Sequence, residues 1–139
     1  YGILRPLDAV VPYRLEMQAR LSVDGARNLY GFWGDAIYES LAGEGCELIV
    51  NAASAEYARA VTPYVRPDGP RVLTCVFGVV RDGRLRQPAT EAKAARGTFV
   101  RWCAERGVED AGELVGFRER GYALDEGRSG DGTLVFVRG

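Results

Sequence analysis

Apolar and polar side chains alternate strictly between residues 13 and 23. Tyr13, Leu15, Met17, Ala19, Leu21 and Val23 share one face, and Arg14, Glu16, Gln18 and Arg20 the other. A period of two over this length predicts a half-buried strand. The spacing then turns helical: Leu29, Phe32, Trp33, Ile37 and Leu41 predict a helix over 28–42, with Asn28 as its cap and Gly43 and Gly45 ending it. The apolar run at 47–51 reads as a short buried strand. Ser54 is a candidate cap for a helix over 55–62, which Pro63 stops. After a loop at 63–70, the β-branched run from Val72 to Val80 predicts a strand. Arg81-Asp82-Gly83-Arg84 carries the Asp-Gly signal of a tight hairpin with a short returning strand. The longest helix is predicted over 89–106, ended by Gly107, with a short helix near 109–115 and a last strand at 132–138. These elements make a mixed α+β domain, a mixed sheet with surrounding helices and no clear βαβ regularity.

Composition narrows the chemistry. A chain of 139 residues, 47% apolar and 27% charged, is long enough for one ordinary globular domain with a real core. No apolar run approaches the roughly 20 residues of a membrane helix, so no membrane role is expected. There is no histidine, which excludes Ser-His-Asp and Cys-His catalysis and histidine-bearing zinc sites within the chain. Cys46, Cys75 and Cys103 are widely spaced and odd in number. They fit small buried hydrophobes in a reducing cytoplasm better than a disulfide or metal framework. No nucleotide-binding fingerprint occurs, and neither a cofactor nor a metal is expected.

Charge is uneven although the net value is −1. Residues 81–106 hold seven basic residues against three acids, whereas 107–139 hold seven acids against four arginines. A polyanion would meet the first of these segments, which also reads as a solvated helix face. Lys93 is the one lysine among eighteen basic residues, and it sits among small residues in Ala92-Lys93-Ala94-Ala95-Arg96-Gly97. A lysine is a compact charge whose pKa shifts on burial, whereas arginine is a permanently charged fork. Lys93 is therefore a ligand contact or tuned amine, or else a solvated helix lysine. Asn51, Ser54, Glu56 and Tyr57 cluster where a strand gives way to a helix. Such a junction suits anion binding, and Ser54 would equally serve as a plain helix cap. Arg14 and Glu16 share the polar face of the first strand, a cross-strand ion pair in the simplest reading. The stretch from Ala92 through Gly107 to Phe117 could form a helix-hairpin-helix, although its Gly107-Val108-Glu109 turn lacks a second glycine.

Several uncommon words occur in order along nearly the whole chain. They are Leu4-Arg5-Pro6-Leu7-Asp8, Pro12-Tyr13-Arg14-Leu15-Glu16-Met17, Phe32-Trp33-Gly34-Asp35, Asn51-Ala52-Ala53-Ser54 with Glu56-Tyr57, Ala92-Lys93 with Ala95-Arg96-Gly97, and Gly116-Phe117 with Gly121-Tyr122. In these the chain resembles the C-terminal portion of the YaaA family, the bacterial peroxide-stress proteins. The resemblance implies a single YaaA-like domain over 1–139, the C-terminal part of a longer cytoplasmic protein. It implies a role in the response to hydrogen peroxide, limiting iron-dependent damage, and non-specific binding of double-stranded DNA through a basic cleft. Carried over, Lys93, Arg96 and Arg101 would contact the duplex, and Tyr13, Arg14, Asn51, Ser54 and Tyr57 would line the cleft. An N-terminal half with a Ser-Pro-Ala-Lys motif would be a further partner. This chain departs from the family's paired lysines before Ala-Arg-Gly, having Thr90-Glu91-Ala92-Lys93-Ala94.

A second function stays open on the residues alone. The domain could be an enzyme acting on a small molecule or nucleobase, with Glu16 or Glu56 as acid/base and Lys93 as electrostatic or nucleophilic group. The environment of Lys93 discriminates: a buried amine facing carboxylates favours chemistry, an exposed one on a basic stripe favours binding.

Overall fold

Burial along residues 71–81 alternates as the sequence pattern requires. Leu73, Cys75, Phe77 and Val79 are all buried, Phe77 completely. These side chains form one face of a strand in the computed structural model, which describes every residue except 1, 6, 13, 14 and 21. The chain divides into two compact units, residues 1–49 with 53–71, and residues 50–52 with 72–139.

The second unit holds most of the sheet. Its strands are β2 (Arg71–Arg81), β3 (Arg84–Arg86), β4 (Tyr122–Leu124) and β5 (Thr133–Arg138), and β1 (Leu48–Asn51) ends in it. The order is β1-β2-β5-β4, with β3 also on β2. β3 returns antiparallel from β2 in the register Arg81↔Arg84 and Val79↔Arg86. β5 runs parallel to β2, and β4 antiparallel to β5. The β2–β5 pair is a parallel crossover through a helix, a feature the sequence pattern did not announce.

That helix, α4 (Ala89–Arg106), buries Ala92, Ala95, Phe99 and Trp102. The spacing of three, four and three puts them on one face. Phe99 lies 5.3 Å from Phe77 between ring centroids, and Phe77 in turn stacks on Phe136 at 5.2 Å. Phe117 and Tyr122 meet Phe77 edge-on. Gly107 ends α4 in the left-handed region at φ 60°, and Val108 N–H donates to the Cys103 carbonyl at 3.0 Å. This is the glycine-dependent helix stop its position predicts. The short helix expected near 109–115 is instead a six-residue 3-10 segment, Ala111–Gly116, with a reciprocal Asp110/Glu113 capping box. A helix-hairpin-helix is therefore not shown: α4 is followed by a 3-10 segment and not by a second α-helix.

The first unit carries α1 (Leu29–Trp33), α2 (Ala36–Ala42) and α3 (Ala55–Ala58). The single helix expected over 28–42 is two, because Gly34 takes φ 50° between them. Asn28 caps α1 as expected, its side-chain oxygen accepting from Gly31 N–H at 3.0 Å. The helix expected over 55–62 stops at Ala58 and is followed by a 3-10 turn at Thr62–Tyr64. The strand expected over 13–23 is not formed by its described residues. A turn closes there, Ala19 N–H to the Glu16 carbonyl at 2.9 Å, and Val23 makes only an isolated bridge to Ala26. Alternation sets which side chains share a face, but a strand also needs a partner for its backbone. Tyr13, Arg14 and Leu21 lie outside the described residues. Buried Tyr38 anchors α2: its hydroxyl accepts from Arg66 N–H at 3.3 Å, and Arg66 pairs with Glu39 at 2.5 Å and Asp35 at 3.7 Å.

Candidate basic surface

α4 has two faces with opposite tasks. Its core face is fixed by the aromatic cluster, so its register is strongly held. The other face then points Lys93, Gly97, Val100, Arg101 and Ala104 to solvent, all exposed. At 3.6 residues per turn, Arg96 and Arg101 flank the Lys93 line at about 60° and 80° on either side, and Lys93 and Arg101 are about 12 Å apart along the axis. At Gly97 this face is open: a Cβ placed there would meet nothing within 4 Å.

Lys93 has no ion-pair or hydrogen-bond partner among the described residues, and neither has half-buried Arg96. Arg101 lies 3.5 Å from Glu105 one turn on, with both side chains 65% exposed. Such a pair contributes only about 0.3–0.5 kcal/mol, so Arg101 is available to a stronger anion. The acid that opens α4, Glu91, is taken up by Arg138 of β5 at 2.7 Å. Lys93 is thus the exposed amine of a basic stripe, not a buried amine facing carboxylates.

The other candidates fall elsewhere. Asn51 closes β1 in the second unit, its amide donating to the Thr74 hydroxyl at 3.2 Å. Thr74 went unnoticed in the sequence, because pairing across strands is needed to bring it to Asn51. Ser54, Glu56 and Tyr57 belong to the first unit. Ser54 stands at the cap position of α3 without a side-chain capping bond. The Glu56 carbonyl accepts the Tyr30 hydroxyl at 2.8 Å, and the residue is half-buried. Tyr57 is 57% exposed and helps line an apolar cavity of about 590 Å³ with Leu15, Met17, Phe32, Trp33 and Val61. No sequence signal marked that cavity, since its walls come from four separate segments. Glu16 is exposed. Tyr13 and Arg14, the remaining cleft candidates, are outside the described residues.

The thiols divide by burial. Cys75 on β2 is pushed up to about 12 by its burial and, secondarily, by nearby Cys103, and burial raises Cys103 as well. A thiol with so high a pKa holds almost no thiolate at neutral pH and is a poor nucleophile toward peroxide. Cys46 is exposed. With a chromogenic disulfide reagent at neutral pH, Cys46 is expected to react first, and Cys75 only when denaturant unfolds the chain. Equal rates for Cys46 and Cys75 would refute this ordering.

A mixed sheet backed by a helix with unshielded cations on its outer face defines an α/β protein with a localised basic surface. Against known sequences, the family model described as "Peroxide stress protein YaaA" matches residues 1–128, and the chain belongs to that family. It is 47% identical over 137 residues to a UPF0246 protein of Lactiplantibacillus plantarum. It is 45% identical over 138 residues to one of Desulfitobacterium hafniense, and 43% identical over 138 residues to one of Pediococcus pentosaceus. Each comparison covers 99% of this chain and 54% of the relative, so the chain spans about half the length of these proteins. Among the described residues no helix is long and apolar enough to cross a membrane.

Proposed function

We propose that this chain serves the cellular response to hydrogen peroxide by binding double-stranded DNA without sequence preference, through the outer face of α4, in the cytoplasm. Bound protein would shield DNA from iron-dependent oxidative damage. The observation that carries the reading is the exposed, unpaired ammonium of Lys93 between Arg96 and Arg101 on a helix whose register the core fixes. Lys93 and Arg96 have no carboxylate partner among the described residues and Arg101 has only the exposed Glu105 pair, so these cations lose little when they meet a phosphate, and each contact releases condensed counterions. Phosphate contacts carry no base information, so such a surface is indifferent to sequence. An enzymatic role for Lys93 with Glu16 or Glu56 lacks this support, because Lys93 is exposed and pairs with no carboxylate among the described residues.

Lys93→Gln and Arg101→Gln are each expected to reduce the slope of log K against log salt by about 0.9. The loss of affinity should be equal on unrelated duplex sequences. Fluorescence anisotropy with labelled duplexes across a salt series measures both quantities. Variants that match wild type at every salt concentration would rule the reading out.

A further inference from the structure

We propose that the β2–β3 hairpin is a second phosphate-contacting element, a basic β-ribbon that presents Arg81, Arg84 and Arg86 to duplex nucleic acid. The inference rests on the nucleic-acid reading above and adds an element that α4 does not include.

Arg81 is opposite Arg84, and Val79 is opposite Arg86. Directly opposed residues share a face, as do residues two apart on one strand. All three arginines therefore project from the same side of the ribbon. The opposite side belongs to Val80 and Leu85, and Leu85 closes over Gly78: a Cβ on Gly78 would lie 2.8 Å from the Leu85 Cδ1. The arginines are sorted onto one face, and the ribbon's one acid, Asp82, sits in the turn at its tip.

The ribbon is also braced. Asp82 and Gly83 take φ 51° and 72°, the paired left-handed conformation of a tight hairpin turn. Arg128, from the segment before β5, donates to the Gly83 carbonyl at 3.3 Å while its other nitrogen pairs with Asp125 at 2.6 Å. Arg128 thus spends its charge holding the tip. Arg81, Arg84 and Arg86 are exposed and have no ion pair among the described residues. Glu91, the acid nearest in sequence after Arg86, is committed to Arg138.

Three unpaired guanidinium groups on a stiff ribbon suit phosphate chemistry. Each is a planar fork that can bind phosphate oxygens in pairs. Arg84 and Arg86 are about 6.7 Å apart along their strand, far enough to address separate phosphates. A two-stranded ribbon is also one of the shapes the major groove of B-DNA admits.

The test compares two triple variants of the full chain, Arg81→Gln/Arg84→Gln/Arg86→Gln and Lys93→Gln/Arg96→Gln/Arg101→Gln, on a labelled duplex over a salt series. All three hairpin side chains are exposed, and an unchanged thermal transition confirms the fold. Loss of three contacts in the hairpin variant is expected to lower the salt slope by about 2.7 and to weaken binding on the order of a hundredfold at 0.1 M salt. If the α4 variant loses affinity and the hairpin variant keeps it, the inference is overturned while the α4 reading stands. If wild type does not bind duplex at all, both fall together. Displacement of duplex from wild type by an equal charge concentration of polyglutamate would also overturn it, since a generic polyanion surface would then be enough.

Discussion

Replacing Phe77 with alanine is expected to destabilise the second unit by about 3–5 kcal/mol, enough to unfold a large share of molecules near physiological temperature. Phe77 has no exposed surface and stands at the centre of the aromatic cluster, touching Phe99, Phe117, Tyr122 and Phe136. These neighbours come from α4, the segment after the 3-10 turn, β4 and β5, so one ring joins four parts of the chain. Alanine would leave a cavity whose walls cannot all collapse, because several are strand residues held by the ladder. Urea denaturation followed by circular dichroism gives the number. A change below about 1 kcal/mol would mean the cluster is not the core of this unit.

Gly78→Val is expected to have the next largest effect. A Cβ at this position would lie 2.5 Å from the Arg86 carbonyl oxygen, a backbone atom of the partner strand, as well as 2.8 Å from Leu85. A side-chain tip could rotate away, but a paired strand cannot yield without losing its register. Overpacking of this kind costs about 1–3 kcal/mol. The consequence reaches function, because the return strand carries Arg84 and Arg86. The variant should therefore lose part of the salt slope for duplex binding as well as stability. Wild-type stability together with wild-type slope would show that the hairpin does not depend on the close approach over Gly78.

Much of the second unit was legible in the sequence. A β-branched run, an Asp-Gly turn and an eighteen-residue helix stopped by Gly107 each combine two signals that agree, and β2, β3 and α4 lie where those signals put them. β4 was missed because three residues give too short a period to read. The parallel pairing of β2 with β5 was missed because an acidic stretch of 3-10 turns separates α4 from β5, and only the fold brings the two strands together. In the first unit, Gly34 looked like one more residue of a helix, yet its positive φ breaks that helix in two. The alternation at 13–23 looked like a strand, but its described residues form none, and Val23 makes only an isolated bridge to Ala26. For the site, the sequence marked Lys93 as unusual and the surrounding segment as basic. Whether the amine faced solvent or a pocket depended on which side of α4 the aromatic cluster takes, and Ala92, Ala95, Phe99 and Trp102 decide that. The sorting of Arg81, Arg84 and Arg86 onto one face followed from the hairpin register, which the Asp-Gly turn already implied.

The central claim is that exposed cations on the second unit meet the phosphates of duplex DNA. The salt dependence of wild-type binding to two duplexes of unrelated sequence tests it most directly. One common slope of log K against log salt, about −5, is expected, as the six cations of α4 and the hairpin neutralise six phosphates. A slope near zero, or slopes and affinities that differ strongly between the two sequences, would contradict it.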